Sequence, residues 1–565
     1  MGFSDLDSLS DVVERKGYDD NSVTGQTLGA LLDRQLGWLR GSNLEDSMPL
    51  GKVVASLVVL LATDTEGVEA LGGSLAIGAS DTDGALIDLD TCQQNSSYST
   101  ILQSSIQNLR ILSSTTPKPQ FIITPLNESH VQAAVICSRQ HGFQIRVRSG
   151  GHDYEGLSSV SDIPFIIVDM SSLRSVDVNV DDQTAWVQSG AAIGELYYRI
   201  AEKSRKLGFP AGVCDTIGVG GHFSGGGYGF LTRKYGLASD NIIDARIIDV
   251  NGKILNRESM GEDLFWAIRG AGAAGFGIIL SWKIKLVPVP DVVTVFILNR
   301  PIEEGASKLV YRWQHIADKL NEDLFVRITI SSDIANKTIN AAFESLYLGG
   351  VDELLQLMEQ SFPELGLKKN DCTQMSWIES IIYLYNLQSD KGLEVLLEKN
   401  QRKSFYKAKS DYVKEPISEI VLEGIWERFR KVEVPVMILT PNGGKMKEIS
   451  EQETPYPHRE GNIYEIQYLA YWDGGDAAAN ENINWIKELY SYMTPHVSKS
   501  PRAAYANYRD LDLGTNENCH ANCPEAMDWG HKYFKSNFER LVQVKTKVDP
   551  TNFFRHEQSI PPLTI

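Results

Sequence analysis

The sequence predicts a protein of mixed helices and strands, divided into two or three structural units. Its 565 residues are long enough to bury a sizeable core and exceed what one core usually serves. With 42% hydrophobic and 22% charged residues, the composition excludes a wholly disordered, collagen-like or coiled-coil chain. From about Ser97 onward strand-like and helix-like segments alternate densely. No period of about 20 to 50 residues repeats, which argues against a solenoid or propeller.

Taken in order, residues 1 to about 80 are poor in aromatics and rich in Asp, Ser and Gly, with no apolar stretch near Met1 to serve as a signal peptide. Leu28, Leu31, Leu32, Leu36 and Leu39 recur at helical spacing. Val53 to Ala62 is an apolar run of ten residues behind Lys52 and Met48. That run is too short to span a bilayer. It has the length of a signal-peptide core if translation begins at Met48, and it reads equally as a buried strand or helix, or as a gene-model artefact.

Further on, Phe121-Ile-Ile-Thr-Pro and Gln144-Ile-Arg-Val-Arg read as strands. Between them, Glu128 to His141 reads as a helix with Val131, Ala134, Val135 and Cys137 on one stripe. Asp263 to Arg269 reads as a helix, and the segment from Phe276 as a strand. The glycine density falls after Pro288-Val-Pro-Asp until about Gly443, which sets one boundary there; a second falls near Ser500. Asn462 to Trp472 reads as a strand, and its alternation puts Glu465 and Gln467 on one face. Two polar residues on a strand rich in Tyr and Ile suggest either a pocket floor or a solvated face.

The formal net charge of -19 argues against a nucleic-acid partner and against docking on an anionic membrane. Six cysteines are too few for a disulfide-built scaffold, and no Cys-x-x-Cys pair offers a redox centre or zinc ribbon. Cys519 and Cys523 flank His520 without a fourth ligand nearby, so a loop disulfide or two plain thiols is the better reading and no metal is expected. Sequons at Asn95, Asn127 and Asn336 permit secretion.

Two glycine-rich segments differ in kind. Gly270-Ala-Gly-Ala-Ala-Gly275 matches the dinucleotide fingerprint by letter, but it follows a helix and precedes a strand. That order is the reverse of what the pyrophosphate site requires, so a Rossmann site is excluded. From Gly218 to Gly229, seven of twelve residues are glycine, without the Lys-Ser/Thr of a phosphate-binding P-loop. Such density lets backbone amides approach a bulky ligand and form an anion-binding nest. His152, in Arg148-Ser-Gly-Gly-His-Asp-Tyr-Glu-Gly156, stands on a tight glycine turn after a strand, by default a solvated position. Cys214 lies in the segment leading into the long glycine run, by default a buried thiol.

Together with residues 259–270, Tyr505-Ala-Asn-Tyr-Arg-Asp510 and Lys547-Val-Asp-Pro-Thr-Asn-Phe-Phe554, these segments resemble the plant berberine bridge enzyme-like family, within the vanillyl-alcohol-oxidase type of FAD-binding fold. The resemblance runs from about Ser97 to Pro562. It implies an α+β fold: a two-part FAD-binding domain of the PCMH type over 83–290, a substrate domain over 291–499 with an antiparallel sheet covered by helices, and a C-terminal segment over 500–565 returning to the FAD domain. Residues 1–82 fall outside it.

The resemblance also implies FAD bound covalently twice, through a ring nitrogen of His152 and the sulfur of Cys214. Both are nucleophiles facing an electron-poor flavin. Ser149, Gly150, Gly151, Asp153, Ile217, Gly218, Gly220, Gly221, His222, Gly225 and Asn552 would contact the cofactor. Tyr508 and Glu465 match catalytic bases within the family, with Gln467 beside them. A phenol with a pKa of about 10 needs a cation or hydrogen bond to serve as a base. Arg509, adjacent on what reads as a strand, would face the other way.

Five departures stand out. Asp215 replaces the usual Pro, and Ile217 a Val beside which oxygen approaches the flavin. Glu304 and Thr440 stand where cannabinoid synthases carry pocket residues, which argues against cannabinoid synthesis. Cys137 matches the second half of the family's N-terminal disulfide, whose first half has no clear equivalent, although Cys92 could substitute.

The function implied is a FAD-dependent oxidoreductase of plant specialised metabolism, oxidising a phenolic, prenylated aromatic or alkaloid-type small molecule by hydride transfer, with O₂ or another acceptor taking the electrons. Alternatives on the same scaffold are a carbohydrate oxidase, a Diels–Alderase keeping FAD as structure only, and a non-catalytic allergen-like protein. A monomer, secreted or vacuolar and without stable membrane insertion, is expected.

Overall fold

The computed structural model describes residues 96–387, 389–398, 403–516 and 524–563. The leucine-spaced and apolar segments before residue 63, Cys92, Asn95 and the Cys519–His520–Cys523 group lie outside them.

The first sheet is small and parallel, with strands β1 (Ile122–Ile123), β2 (Gln144–Arg148) and β3 (Phe165–Asp169) in the order β1-β3-β2. Helix α1 (Glu128–His141) crosses between β1 and β2. It starts where Asn127 accepts from the His130 amide and stops at Gly142, whose φ of 74° a glycine adopts without strain. Its stripe of Val131, Ala134 and Val135 is fully buried, and Cys137 lies with it.

Strands β4 (Val176–Asn179), β5 (Thr184–Gln188), β6 (Leu207–Gly208), β7 (Ile242–Ile248), β8 (Ile254–Leu255), β9 (Ile278–Lys285) and β10 (Val287–Pro288) follow. Five of them form an antiparallel sheet in the order β4-β5-β9-β7-β8, and β6 pairs with β10. Helix α2 (Ile193–Lys203), helix α3 (Val219–Ser224) inside the long glycine run, and helix α4 (Arg257–Ala267) pack with it.

After β10 the chain builds one seven-stranded antiparallel sheet from β11 (Val293–Pro301), β12 (Leu324–Asp333), β13 (Thr338–Tyr347), β14 (Thr373–Met375), β15 (Phe405–Val413), β16 (Val434–Pro441) and β17 (Tyr464–Trp472). Its order is β14-β11-β13-β12-β16-β17-β15. Helices α5 (Ala306–Gln314), α6 (Glu419–Phe429) and α7 (Gly475–Met493) cover one face, where Trp313, Trp426 and Trp485 share a core with Ile466, Tyr468 and Ala470 of β17. Because side chains alternate, Gln467, Leu469 and Tyr471 of the same strand face the other way.

The last two helices, α8 (Pro524–Phe534) and α9 (Asn537–Val548), place Trp529 and Phe538 in the core that also holds Trp282 of β9. The C-terminal segment therefore packs against the glycine-rich half of the chain. Among the described residues no helix is long and apolar enough to cross a membrane.

Candidate active site

A cavity of about 950 Å³ opens between the glycine-rich half and the uncovered face of the seven-stranded sheet. Arg148, the last residue of β2, is buried and pairs with its register neighbour Asp169 at 2.6 Å, which anchors the loop that follows. That loop lies against the long glycine run with no room for side chains. A Cβ on Gly150 would sit 2.2 Å from the Gly218 nitrogen, and one on Gly218 would sit 2.1 Å from the Ser149 Oγ. A Cβ on Gly221 would meet nothing within 4 Å, because that glycine faces the cavity. The backbone itself forms this wall.

Three polar side chains meet on it. His152 Nε2 lies 3.0 Å from Thr216 Oγ1, and the Cys214 sulfur lies 3.6 Å from the same oxygen. The Tyr385 hydroxyl donates to that sulfur at 3.0 Å. Burial lowers the His152 pKa to about 4, so its imidazole is neutral and retains a lone pair. Burial also raises the Cys214 thiol above its ordinary value. His222 Nε2 accepts from the Gly212 amide at 3.0 Å, and burial with the neighbouring His152 holds its pKa at about 4.

These residues fit FAD. Arg146 lines the cavity, is 3% exposed, and leaves Nε and Nη1 without a partner while Glu557 holds Nη2 at 2.6 Å. Two unshared guanidinium N–H groups beside a glycine cradle suit the oxygens of a pyrophosphate. His152 and Cys214 stand farther along the same wall, as nucleophiles within one hydroxyl's reach.

The opposite wall is aromatic. Tyr154 stacks on Tyr508 with centroids 5.4 Å apart and planes 8° from parallel, and Tyr406 meets Tyr154 edge-on at 5.6 Å. Gln467 Nε2 donates to the Tyr154 hydroxyl at 2.5 Å. The hydroxyls of Tyr228 and Tyr508 share a short hydrogen bond. Burial, then the neighbouring Tyr228, push the Tyr508 pKa well above that of a free phenol.

Of the residues singled out from sequence, the cavity takes in Ser149, Gly150, Gly151, His152 and Asp153 from one segment. It takes in Cys214, Ile217, Gly218, Gly220, Gly221 and His222 from the next, with Gln467 and Tyr508 across from them. Others fall elsewhere. A Cβ on Gly225 would sit 1.9 Å from the Asn507 amide oxygen, so this glycine admits the Tyr505–Tyr508 turn and does not line the cavity. Asn552 closes a turn at φ 53°, its amide bonded to the Asp549 carbonyl, and is off the wall. Glu304 is exposed on a turn outside the cavity, whereas Thr440 lines it.

Glu465 also stands behind the wall. It is 3% exposed, opposite Thr440 and Tyr412 in register, and its Oε1 has no hydrogen-bond partner. Burial without a cation pushes its pKa well above the carboxylate range, so the group is a neutral acid. Tyr508 and Arg509 occupy a turn where a strand was expected. Arg509 turns toward Gln558 and the ring of Tyr533, away from the phenol.

Sequence reasoning missed several wall residues. Tyr154 and Tyr228 lie inside the two glycine motifs, one two residues after His152 and one between Gly227 and Gly229, and their position was the available signal. Gly272, Ala273 and Ala274, in the turn rejected as a dinucleotide fingerprint, do line the cavity. The turn lies between α4 and β9, so the rejection of a Rossmann arrangement stands. Nothing local marked Arg146, Thr216 or Tyr385.

Comparison with known proteins accounts for this geometry. Residues 119–257 match the model of an FAD binding domain, and residues 504–561 match that of the berberine and berberine-like family. The chain is 56% identical to the tetrahydroberberine oxidase of Berberis wilsoniae over 482 residues, covering 84% of this chain and 91% of that protein. It is 52% identical to a monolignol oxidoreductase of Arabidopsis thaliana over 474 residues, 82% of this chain and 88% of that one. The solved structure of Phl p 4, a grass pollen allergen with glucose dehydrogenase activity, superposes with a TM-score of 0.80 at 46% identity, covering 84% of this chain and 96% of that structure. A cradle suited to FAD, an aromatic pocket facing it and relatives matched over most of their length lead to one assignment: the chain belongs to the berberine bridge enzyme-like family of FAD-dependent oxidoreductases.

Proposed function

We propose that FAD is held covalently through both His152 and Cys214, and that the tyrosine-lined end of the cavity oxidises a phenolic, prenylated aromatic or alkaloid-type substrate. The observation that carries this reading is the wall on which Tyr154, Tyr406 and Tyr508 pack as rings while Tyr508 shares its hydroxyl proton with Tyr228. Flat aromatic groups stack on such rings with offset or edge-on geometry. When bound, FAD supplies a two-electron acceptor for a hydride, and O₂ or another acceptor then takes the electrons.

The chain's own part is to place the substrate and move a proton. With its pKa raised, Tyr508 keeps its proton at neutral pH. To act as a base it first gives its own proton up to solvent; Tyr228 then donates its hydroxyl hydrogen bond to the phenolate left behind, and that phenolate takes the substrate's hydroxyl proton. Glu465, neutral behind both rings, provides no standing negative charge there. Gln467 fixes the Tyr154 hydroxyl and so the face on which Tyr508 stacks.

Carbohydrate oxidation is the second reading, favoured by the likeness to Phl p 4. Entry to the secretory pathway is consistent with the sequon at Asn336, which is exposed just ahead of β13. Anaerobic mixing with coniferyl alcohol, tetrahydroberberine and glucose separates the readings. Bleaching of the flavin by either aromatic substrate is expected. Bleaching by glucose alone would replace this reading with the second, and conversion of an aromatic substrate without bleaching would point to non-redox cyclisation. Yellow colour retained by acid-precipitated protein, and lost only in the His152→Ala/Cys214→Ala double variant, is the expected sign of both tethers.

A further inference from the structure

Behind the tyrosine wall lies a buried cluster of charges that the proposed chemistry does not use. Lys407 of β15 is bonded to Glu155 and lies 2.9 Å from Asp510, with all three side chains no more than 5% exposed. Lys409, two residues along the strand, reaches Asp510 at 2.6 Å and Asp512 at 2.7 Å. The cluster joins three distant parts of the chain, each beside a wall tyrosine. Glu155 follows Tyr154, Lys407 follows Tyr406, and Asp510 stands two residues after Tyr508. Asn108 adds a neutral tie, donating to the carbonyls of Tyr154 and Tyr406 at 3.1 and 3.0 Å.

We propose that Lys407 is a positioning residue: by tying Glu155 to Asp510 it fixes the stack of Tyr154 on Tyr508, and with it the place where the substrate's proton is taken. The two rings sit on irregular segments, one after β2 and one in the Tyr505–Tyr508 turn, so no ladder of strand hydrogen bonds sets their separation. Lys407 sits on a paired strand, opposite Ala470 of β17, and is the rigid element between them. Removing its charge leaves Glu155 and Asp510 facing each other with one fewer cation. Like charges then drive the two segments apart.

This inference rests on the reading of Tyr508 as the proton-handling group, and the test separates the two. Lys407→Met, Lys407→Arg and the charge-balanced pair Lys407→Met with Glu155→Gln are compared with wild type as holoenzymes. Loss of alignment of about an ångström costs up to about 10²-fold in rate. Lys407→Met is therefore expected to keep wild-type flavin content and coniferyl alcohol affinity while its limiting rate of anaerobic flavin reduction falls by about 10–10²-fold. Lys407→Arg is expected to recover most of that rate. A normal reduction rate in folded Lys407→Met overturns the proposal.

If coniferyl alcohol does not bleach the wild type, the substrate reading fails, and Lys407 is then judged by hydrogen exchange. Faster exchange at residues 153–157 and 508–512 together supports the tie; unchanged exchange at either segment overturns it. Should the single variant not fold, the charge-balanced pair carries the test: it lacks the tie and also the repulsion, so a smaller fall in reduction rate is expected, and a wild-type rate with unchanged exchange at both segments overturns the proposal.

Discussion

Across the cavity, the loop after β2 and the long glycine run meet through backbone atoms, with Gly150 and Gly218 pressed together. Facing them, β16 and β17 present Ile438, Thr440, Gln467, Leu469 and Tyr471, with the rings of Tyr154 and Tyr508 alongside. One wall works because side chains are missing, the other because large ones are held in place. The first suits a cofactor whose shape is constant, since glycine contact leaves little freedom for variation. The second can change its substrate by changing a side chain without disturbing the sheet beneath, which keeps its core on the opposite face.

If the walls are independent in this way, their variants should fail differently. Tyr508→Phe keeps the ring and removes the hydroxyl that meets Tyr228. Flavin content should be unchanged, while the rate of anaerobic reduction falls by about 10²–10⁴-fold. Glu465→Gln should change that rate little, because the buried carboxyl is already neutral and the amide has nearly its shape. Equal losses in the two variants would move the base from the phenol to the carboxyl. Loss of flavin from Tyr508→Phe would show that the walls are not separate.

Gly218→Ala is the mirror experiment. Its Cβ would lie 2.1 Å from Ser149 Oγ and 2.2 Å from the Gly150 nitrogen, so the two segments must part. Overpacking of this kind costs about 1–3 kcal/mol, enough to weaken cofactor binding by about 5- to 150-fold and lower flavin content accordingly. Gly221→Ala, with open space around its Cβ, should leave stability unchanged and affect only cofactor binding. Visible flavin absorbance per polypeptide, with a thermal melt of each variant, checks both. Full flavin in Gly218→Ala would mean that the loop gives way and that close backbone contact is not what the glycines provide.

The two walls also differ in how far the sequence disclosed them. Close backbone approach demands glycine, and glycine at seven of twelve positions from Gly218 to Gly229 is visible in any sequence, so that run could be marked before the fold was known, whereas Ser149, His152 and His222 were named only through the family resemblance. Helix α1 was legible for a similar reason, since its cap, apolar stripe and terminal glycine are all local. On the other wall, alternation in β17 put Gln467 on the correct face, but it could not show that Glu465 lies behind Tyr228 and Tyr508. Depth beneath a wall depends on segments hundreds of residues away. Gly225 and Asn552 lie off the cavity lining for a related reason: a glycine or turn residue inside a motif also serves the chain's own packing, which the motif does not disclose.

Acid should weaken the glycine wall before the aromatic one. His222 accepts the Gly212 amide on Nε2, and protonation destroys that acceptor. Its folded pKa of about 4 lies below the ordinary value of 6.5, so between these values the unfolded chain binds more protons. The stability it contributes is complete above pH 6.5 and is lost as pH falls toward 4, by up to about 1.4 kcal/mol per unit. His222→Gln, which retains an acceptor without titrating, should remove its share of this slope and leave the share of His152, whose pKa is lowered to about 4 as well. Urea midpoints measured at pH 7 and pH 5 test it, and an unchanged slope would remove His222 from the account.

The smallest effect is expected at Ile217 of the glycine wall. Its side chain lines the cavity and packs partly against the core of the glycine-rich half. Its backbone is fixed on both sides, the amide donating to the Cys214 carbonyl at 3.3 Å and the carbonyl accepting from Ile193 at 2.9 Å. Ile217→Val therefore removes a methylene without moving the loop that carries Cys214 and Thr216. The stability cost should be only about 0.5–1.5 kcal/mol. In a close-packed wall even one methylene governs passage of a small molecule. Reoxidation of the reduced enzyme by dissolved oxygen should accordingly be slow in the wild type and faster in Ile217→Val, with anaerobic reduction by substrate nearly unchanged. Stopped-flow mixing of reduced protein with oxygenated buffer reads this directly. Equal reoxidation rates would make Ile217 a packing residue, whereas altered reduction would mean that the change has reached the tyrosine wall.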